Sequence, residues 1–193
     1  MYKARLAVLL SGEGSNLQAL IDATQKGTIK AEIVLVVSNK FDAGGLKRAQ
    51  KSGIENIVLD NLRYADRRSF DCALKSKLKK YNLDLIILAG FMRILTSDFV
   101  EAFAGRILNI HPSLLPKYRG LHTHQKALDA GDKNAGATVH FVTSELDGGP
   151  SIIQAVVPIL KNDTVDALAR RILTKEHQIY PLAVKLFCEG RLS

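Results

Sequence analysis

Leu6 to Leu10 form an unbroken apolar run that ends at Ser11-Gly12-Glu13-Gly14-Ser15-Asn16, and Leu17, Leu20 and Ile21 then recur at helical spacing as far as Gly27. This pattern predicts a strand, a glycine turn and a helix. Ile33 to Val37 reads as a second strand, Leu46 to Lys51 as a short helix closed by Gly53, and Ile57 to Leu59 as a third strand. Phe70, Leu74, Leu78 and Tyr81 mark one face of a longer helix, and Leu83 to Leu88 is a fourth strand made almost wholly of Leu and Ile. Strands this apolar are covered on both faces, as in parallel sheets. Ser97 to Phe103 reads as a short helix with Ser97 as its cap, and Ile107 to Ile110 as a fifth strand.

Strand–helix repeats up to residue 111 predict an α/β fold built on a doubly wound, mostly parallel twisted sheet with right-handed crossovers. Beyond a helix that ends at Gly131 the rhythm changes. Ala137 to Thr143 and Ser151 to Pro158 are β-rich and separated only by Ser144-Glu145-Leu146-Asp147-Gly148-Gly149-Pro150, too few residues for a crossover helix. They predict a C-terminal antiparallel hairpin, followed by a closing helix from Thr164 to Glu189 bent at Pro181.

Composition narrows the class without naming the chemistry. The 193 residues are 47% hydrophobic and 24% charged, enough apolar side chain for a packed core, which excludes intrinsic disorder. One domain over residues 1–193 is expected at this length. Cys72 and Cys188 have no paired spacing, no apolar run approaches a membrane span, and the first residues lead straight into a strand, so a reduced, cytoplasmic setting without membrane is expected. The net charge of +8 points to anionic partners, but leaves nucleic acid, lipid and small phosphorylated or carboxylated metabolites equal.

In an open α/β sheet ligands bind beyond the carboxyl ends of the strands, where strand order reverses. That rule selects Ser11 to Asn16, Ala89 to Arg93 and Asn109 to Pro112, which face one crevice if the first and fourth strands are neighbours. The first turn offers free backbone N–H groups at a helix start and suits a phosphate. Leu17 stands where a dinucleotide fingerprint needs its third glycine, and no ribose-binding acid follows the second strand, so a nicotinamide or flavin is not expected. Asn109 and His111, two apart on a strand, present an amide donor and an imidazole on the same side. Such a pair can stabilise an oxyanion and move a proton, the needs of acyl-type transfer; a strand merely capped by Asn and His is the alternative. Asp147 would hold the His111 ring if the hairpin loop folds back, or else is a simple Asp-Gly turn. No nucleophile motif and no metal-ligand spacing occurs, so no metal is expected; His122 and His124 read as surface or helix-entry residues, and His140 lies within a strand beside apolar Val139 and Phe141.

Taken together, Ser11-Gly-Glu-Gly-Ser-Asn16, Ala89-Gly-Phe-Met-Arg-Ile-Leu95, Leu108-Asn-Ile-His-Pro-Ser-Leu-Leu-Pro-Lys117 and Leu146-Asp-Gly-Gly-Pro150 closely resemble the folate-dependent phosphoribosylglycinamide formyltransferases of purine synthesis, over essentially the whole chain. The resemblance implies a Rossmann-like formyltransferase fold and transfer of the formyl group of 10-formyltetrahydrofolate to 5′-phosphoribosylglycinamide. It implies a catalytic trio of Asn109, His111 and Asp147. It also implies a ribotide site at Gly14, Ser15 and Asn16 with Leu173, Thr174, Lys175 and Glu176. Folate would lie against Met92, Arg93, Ile94, Leu95, Asn109, Thr143, Ser144, Glu145, Leu146 and Asp147, with Arg67 near its acidic end. Glu13 departs from the asparagine common in that family and is expected to face solvent. A monomer or weak homodimer is expected. A formyltetrahydrofolate hydrolase shares the trio but carries an additional N-terminal domain, and methionyl-tRNA formyltransferases add a C-terminal one. A basic nucleic-acid module would need aromatic strand motifs or zinc arrays that this sequence lacks.

Overall fold

The computed structural model describes residues 2–192. Strand and helix alternate through β1 (Ala4–Leu10), α1 (Ser15–Gln25), β2 (Ala31–Ser38), α2 (Gly44–Lys51), β3 (Asn56–Val58), α3 (Arg67–Leu78), β4 (Leu85–Leu88), α4 (Ser97–Ala102) and β5 (Ile107–His111). The short helix α5 (Thr123–Asp129) precedes β6 (Asn134–Phe141) and β7 (Ser151–Pro158), and α6 (Val165–Cys188) closes the chain. All seven strands join one sheet in the order β3-β2-β1-β4-β5-β6-β7. The first five are mutually parallel, whereas β6 runs antiparallel to both β5 and β7. Order therefore reverses between β1 and β4, the neighbour relation on which the crevice depended.

Period-two alternation along the central strands builds two cores. Leu6, Val8 and Leu10 of β1 pack with Leu17, Leu20 and Ile21 of α1 and with Leu168, Ile172 and Tyr180 of α6. Ala7 and Leu9 point to the other face, against Phe70, Leu74 and Leu78 of α3 and Phe99 of α4. Removing one of these fully buried aromatic side chains by substitution with Ala costs about 3–5 kcal/mol. Helix α6 continues through Pro181 to Cys188.

Several boundaries differ from the sequence reading. The helix predicted as far as Tyr81 changes to a 3₁₀ turn over Lys79–Tyr81, and another such turn forms at Asn61–Arg63. β4 starts at Leu85 rather than Leu83, and β6 spans 134–141 because pairing with β7 extends it backwards. Ser97 is not the cap of α4. Thr96 holds that position, and its N–H donates to Oδ2 of Asp71, a buried carboxylate on α3. A tertiary partner has replaced the local cap.

Candidate active site

The first turn forms as its glycines require. Gly14 caps α1 in the left-handed region at φ 72, and a methyl group there would lie 2.5 Å from Cα of Gly45, so only glycine lets the two backbones approach. No side chain caps α1, which leaves the N–H groups of its first turn free for an anion. Arg48, which the sequence reading missed, donates from Nε to the Glu13 carbonyl at 2.8 Å and puts a cation beside the turn. Glu13 is exposed, as expected. Asn16 is buried; its amide donates to Oε2 of Glu176 at 2.7 Å, while its Oδ1 has no partner. Burial raises the Glu176 carboxyl above its ordinary range, with the Asn16 bond acting in the opposite direction. The residues expected at a ribotide site on α1 and α6 are thus joined by one buried hydrogen bond. Leu173 and Lys175 are half-buried beside it, and Thr174 is exposed, its hydroxyl turned to the Arg170 carbonyl.

Ser11 ties this turn to the next. Its N–H donates to the Gly90 carbonyl at 3.0 Å, and its hydroxyl accepts from the Met92 N–H at 2.8 Å while donating to Asn39 Oδ1 at 2.6 Å. The segment from Phe91 to Thr96 has no regular structure of its own, so Ser11 and Asp71 fix its two ends. It walls a crevice of about 920 Å³. Lining this crevice are Met92, Arg93, Ile94, Leu95, Asn109, His111, Thr143, Ser144, Glu145, Leu146 and Asp147, which brings together the whole trio and the expected folate residues except Arg67. Arg67 lies exposed at the start of α3, outside the lining, and its neighbour Arg68 pairs with Asp98 at 3.1 Å.

The trio meets because β6 pairs antiparallel with β5 and the loop after β6 then folds back. Asp147 sits in that loop in the left-handed region at φ 49, and Gly149 is packed so tightly that a methyl group would meet the Phe141 carbonyl oxygen at 1.8 Å. The Gly120 N–H donates to Asp147 Oδ2 at 2.9 Å, and the same oxygen stands 3.4 Å from His111 Nδ1. The other ring nitrogen, Nε2, donates to the Tyr118 carbonyl at 2.9 Å. Both His111 and Asp147 are nearly closed to solvent, with side chains 8% and 9% exposed, so the interaction between ring and carboxylate is poorly screened.

His140 belongs to this group although no motif assigns it a role. Register pairs it with Asn109, whose amide donates to its Nε2 at 3.1 Å, while its Nδ1–H donates to the Phe141 carbonyl at 2.8 Å. Burial holds the ring below the ordinary histidine value of 6.5, against the opposing pull of the Phe141 bond and Asp147. With Nε2 accepting from Asn109, the 3.7 Å approach to Asp147 Oδ1 is not an ion pair; His140 is neutral and aims the Asn109 amide. His122 and His124 stand at the entry of α5, as expected, and both also line the crevice. His122 caps α5 at φ 61, and His124 is held below 6.5 by burial and by nearby His111. Among the described residues no group of three or more His, Cys, Asp or Glu side chains is arranged to hold a metal.

An amide, an imidazole and an ordered carboxylate lining one crevice suit transfer of a one-carbon acyl group. A family model described as formyl transferase matches residues 4–184. The chain belongs to the formyl transferase family. Within that family it is 52% identical over 187 residues to a phosphoribosylglycinamide formyltransferase of Escherichia coli K12, covering 97% of this chain and 88% of that protein. It is 46% identical over 188 residues to the human trifunctional purine biosynthetic protein adenosine-3, of which it covers 19%. The crystal structure of glycinamide ribonucleotide transformylase 1 from Symbiobacterium toebii, another family member, superposes with a TM-score of 0.97 at 49% identity over 99% of this chain and 90% of that one.

Proposed function

We propose that this chain transfers the formyl group of 10-formyltetrahydrofolate to the amino group of 5′-phosphoribosylglycinamide in purine biosynthesis. The observation that carries the reading is the convergence of Asn109, His111 and Asp147 on one side of a crevice sized for a large organic ligand. A folate pterin and its linker fit between the backbone edge 92–95 and the loop 143–147. The ribotide phosphate takes the free N–H groups after Gly14, and Glu176, oriented by Asn16, faces its sugar or glycyl part.

The substrate amine attacks the formyl carbon, a C–N bond forms and the carbonyl oxygen becomes an oxyanion. The Asn109 amide, aimed by His140, and the His111 imidazolium meet that charge. Asp147 supplies the counter-charge to the ring and orders a water. As the tetrahedral species collapses, the bond to folate N10 breaks and the proton lost by the amine passes through that water to N10. No covalent enzyme intermediate is needed. On this reading the chain acts as a single catalytic domain, a monomer or weak homodimer in the cytoplasm, independent of nucleic acid.

The test is an absorbance assay of formyl loss from a 10-formyl folate with and without the ribotide. Ribotide-dependent transfer is expected; equal loss without ribotide would identify a hydrolase instead. Asp147→Asn should lower kcat by about 10²-fold or more while ribotide affinity stays within about twofold. Near-normal turnover would remove Asp147 from the mechanism.

A further inference from the structure

Asp132 lies just beyond α5, and the backbone fixes it there. Gly131 takes the left-handed conformation at φ 64, its N–H donates to the Leu128 carbonyl at 3.0 Å, and the Asp132 N–H donates to the Ala127 carbonyl at 3.2 Å. These are the two bonds of a Schellman motif, so the carboxylate is presented by a rigid helix end. It accepts from Lys117 Nζ at 2.9 and 3.1 Å and from the Tyr118 hydroxyl at 2.8 Å. Both partners belong to the loop that leaves β5 after His111. Tyr118 sits at φ 57, a conformation that a bulky aromatic residue does not choose for itself. Its ring is held by Asp132, and its carbonyl accepts from His111 Nε2. The Ser113 hydroxyl braces the same loop at the Lys117 carbonyl, 2.6 Å away.

A carbonyl can only accept, so this contact commits the ring proton of neutral His111 to Nε2. Nδ1 is then the unprotonated nitrogen, 3.4 Å from Asp147 Oδ2. Asp132 itself is not part of the crevice lining; it borders a separate cavity of about 390 Å³ behind the loop. An effect of Asp132 on turnover is therefore carried by the loop it clamps, through Lys117 and Tyr118, and not by a lost contact in the crevice.

We propose that Asp132 is a positioning residue for formyl transfer: by clamping Lys117 and Tyr118 it aims the Tyr118 carbonyl at His111 Nε2–H and so leaves Nδ1, beside Asp147, as the nitrogen that takes the proton making the imidazolium. The proposal rests on the formyl-transfer reading, and two readouts separate their failures. Asp132→Ala should lower kcat by about 10-fold or more, the range common for residues that orient a functional histidine, with both KM values within about twofold. Tyr118→Phe, which keeps the ring packing and loses one hydrogen bond, should show a smaller loss of the same kind. Nitrogen-15 NMR of the histidine rings, at a pH where they are neutral, should show His111 as the Nε2-protonated tautomer in the wild type and as a mixture in Asp132→Ala.

A carboxylate that only stabilises the fold would lower the melting temperature and leave that tautomer unchanged. Unchanged kcat, or an unchanged tautomer in folded Asp132→Ala, overturns the proposal. If Asp132→Ala does not fold, Tyr118→Phe decides by the same measurements. A wild type without formyl transfer overturns the functional reading instead, and the tautomer, which needs no substrate, still decides the role of Asp132.

Discussion

Each polar side chain at the centre of the site is defined by what holds it. Asn109 has its amide directed by His140, and His111 is gripped at both nitrogens, by the Tyr118 carbonyl and by Asp147. Such preorganisation removes the need to reorient dipoles as charge develops. The same packing makes the fold sensitive to pH through His140, the ring that directs the Asn109 amide. The His140 ring prefers the neutral state in the fold, so the unfolded chain binds the extra proton first as pH falls below 6.5. The wild type therefore loses stability through this group on acidification. Glu176 has the opposite sign, because its protonated form is favoured in the fold and its penalty shrinks as pH falls towards 4.5. Comparison with His140→Asn separates the two. At pH 7.5 the variant should be the less stable, and the gap in urea midpoint should close as pH drops from about 6.5 to 5. A gap independent of pH would mean that His140 is not held neutral by its surroundings.

At the scale of elements, the site is a set of strand ends joined by backbone that only certain residues permit. Gly14 and Gly27 share φ 72, yet a methyl group on Gly27 meets nothing within 4 Å, whereas one on Gly14 runs into Gly45. Gly27→Ala should cost only the left-handed penalty, about 1–2 kcal/mol. Gly14→Ala adds displacement of α2 against the turn, so its melting temperature should fall further than that of Gly27→Ala and its ribotide KM should rise. Equal losses in the two variants would show that α2 yields easily. Much of this level was legible in advance, because apolar runs ending in glycine turns announce both the strand and the ligand-facing loop. The cap of α4 was not, since Asp71 reaches Thr96 from another helix. The role of His140 was not either, because only the β5–β6 register puts it opposite Asn109.

For the whole molecule, the charge of +8 does not make the site; on the proposed function, with a phosphate on one ligand and an acidic tail on the other, it aids their encounter. Four of the cationic side chains, Lys75, Lys77, Lys79 and Lys80, belong to α3 and the turn that follows it, away from the crevice. Long-range attraction is screened by salt, whereas the chemical step inside the crevice is not. Raising ionic strength from about 0.02 to 0.3 M should therefore lower kcat/KM severalfold and leave kcat nearly constant. A parallel fall in kcat would place the salt effect in the chemistry. No helix among the described residues is long and apolar enough to cross a membrane.

The amino-acid sequence by itself determined the doubly wound order of elements, the glycine turn for an anion, and the chemical pair Asn109 and His111, because periodicity and residue type are local properties of the chain. Its motifs also nominated Asp147. Tertiary structure alone decided what acts on those residues: the 3.4 Å approach of Asp147 to His111, the His140 acceptor behind Asn109, the Glu176 bond to Asn16, and the Asp132 clamp on the loop that orients His111. The first three join residues whose separation in the chain is 31 or more, and all four depend on strand register, helix packing or loop return, which no local pattern encodes.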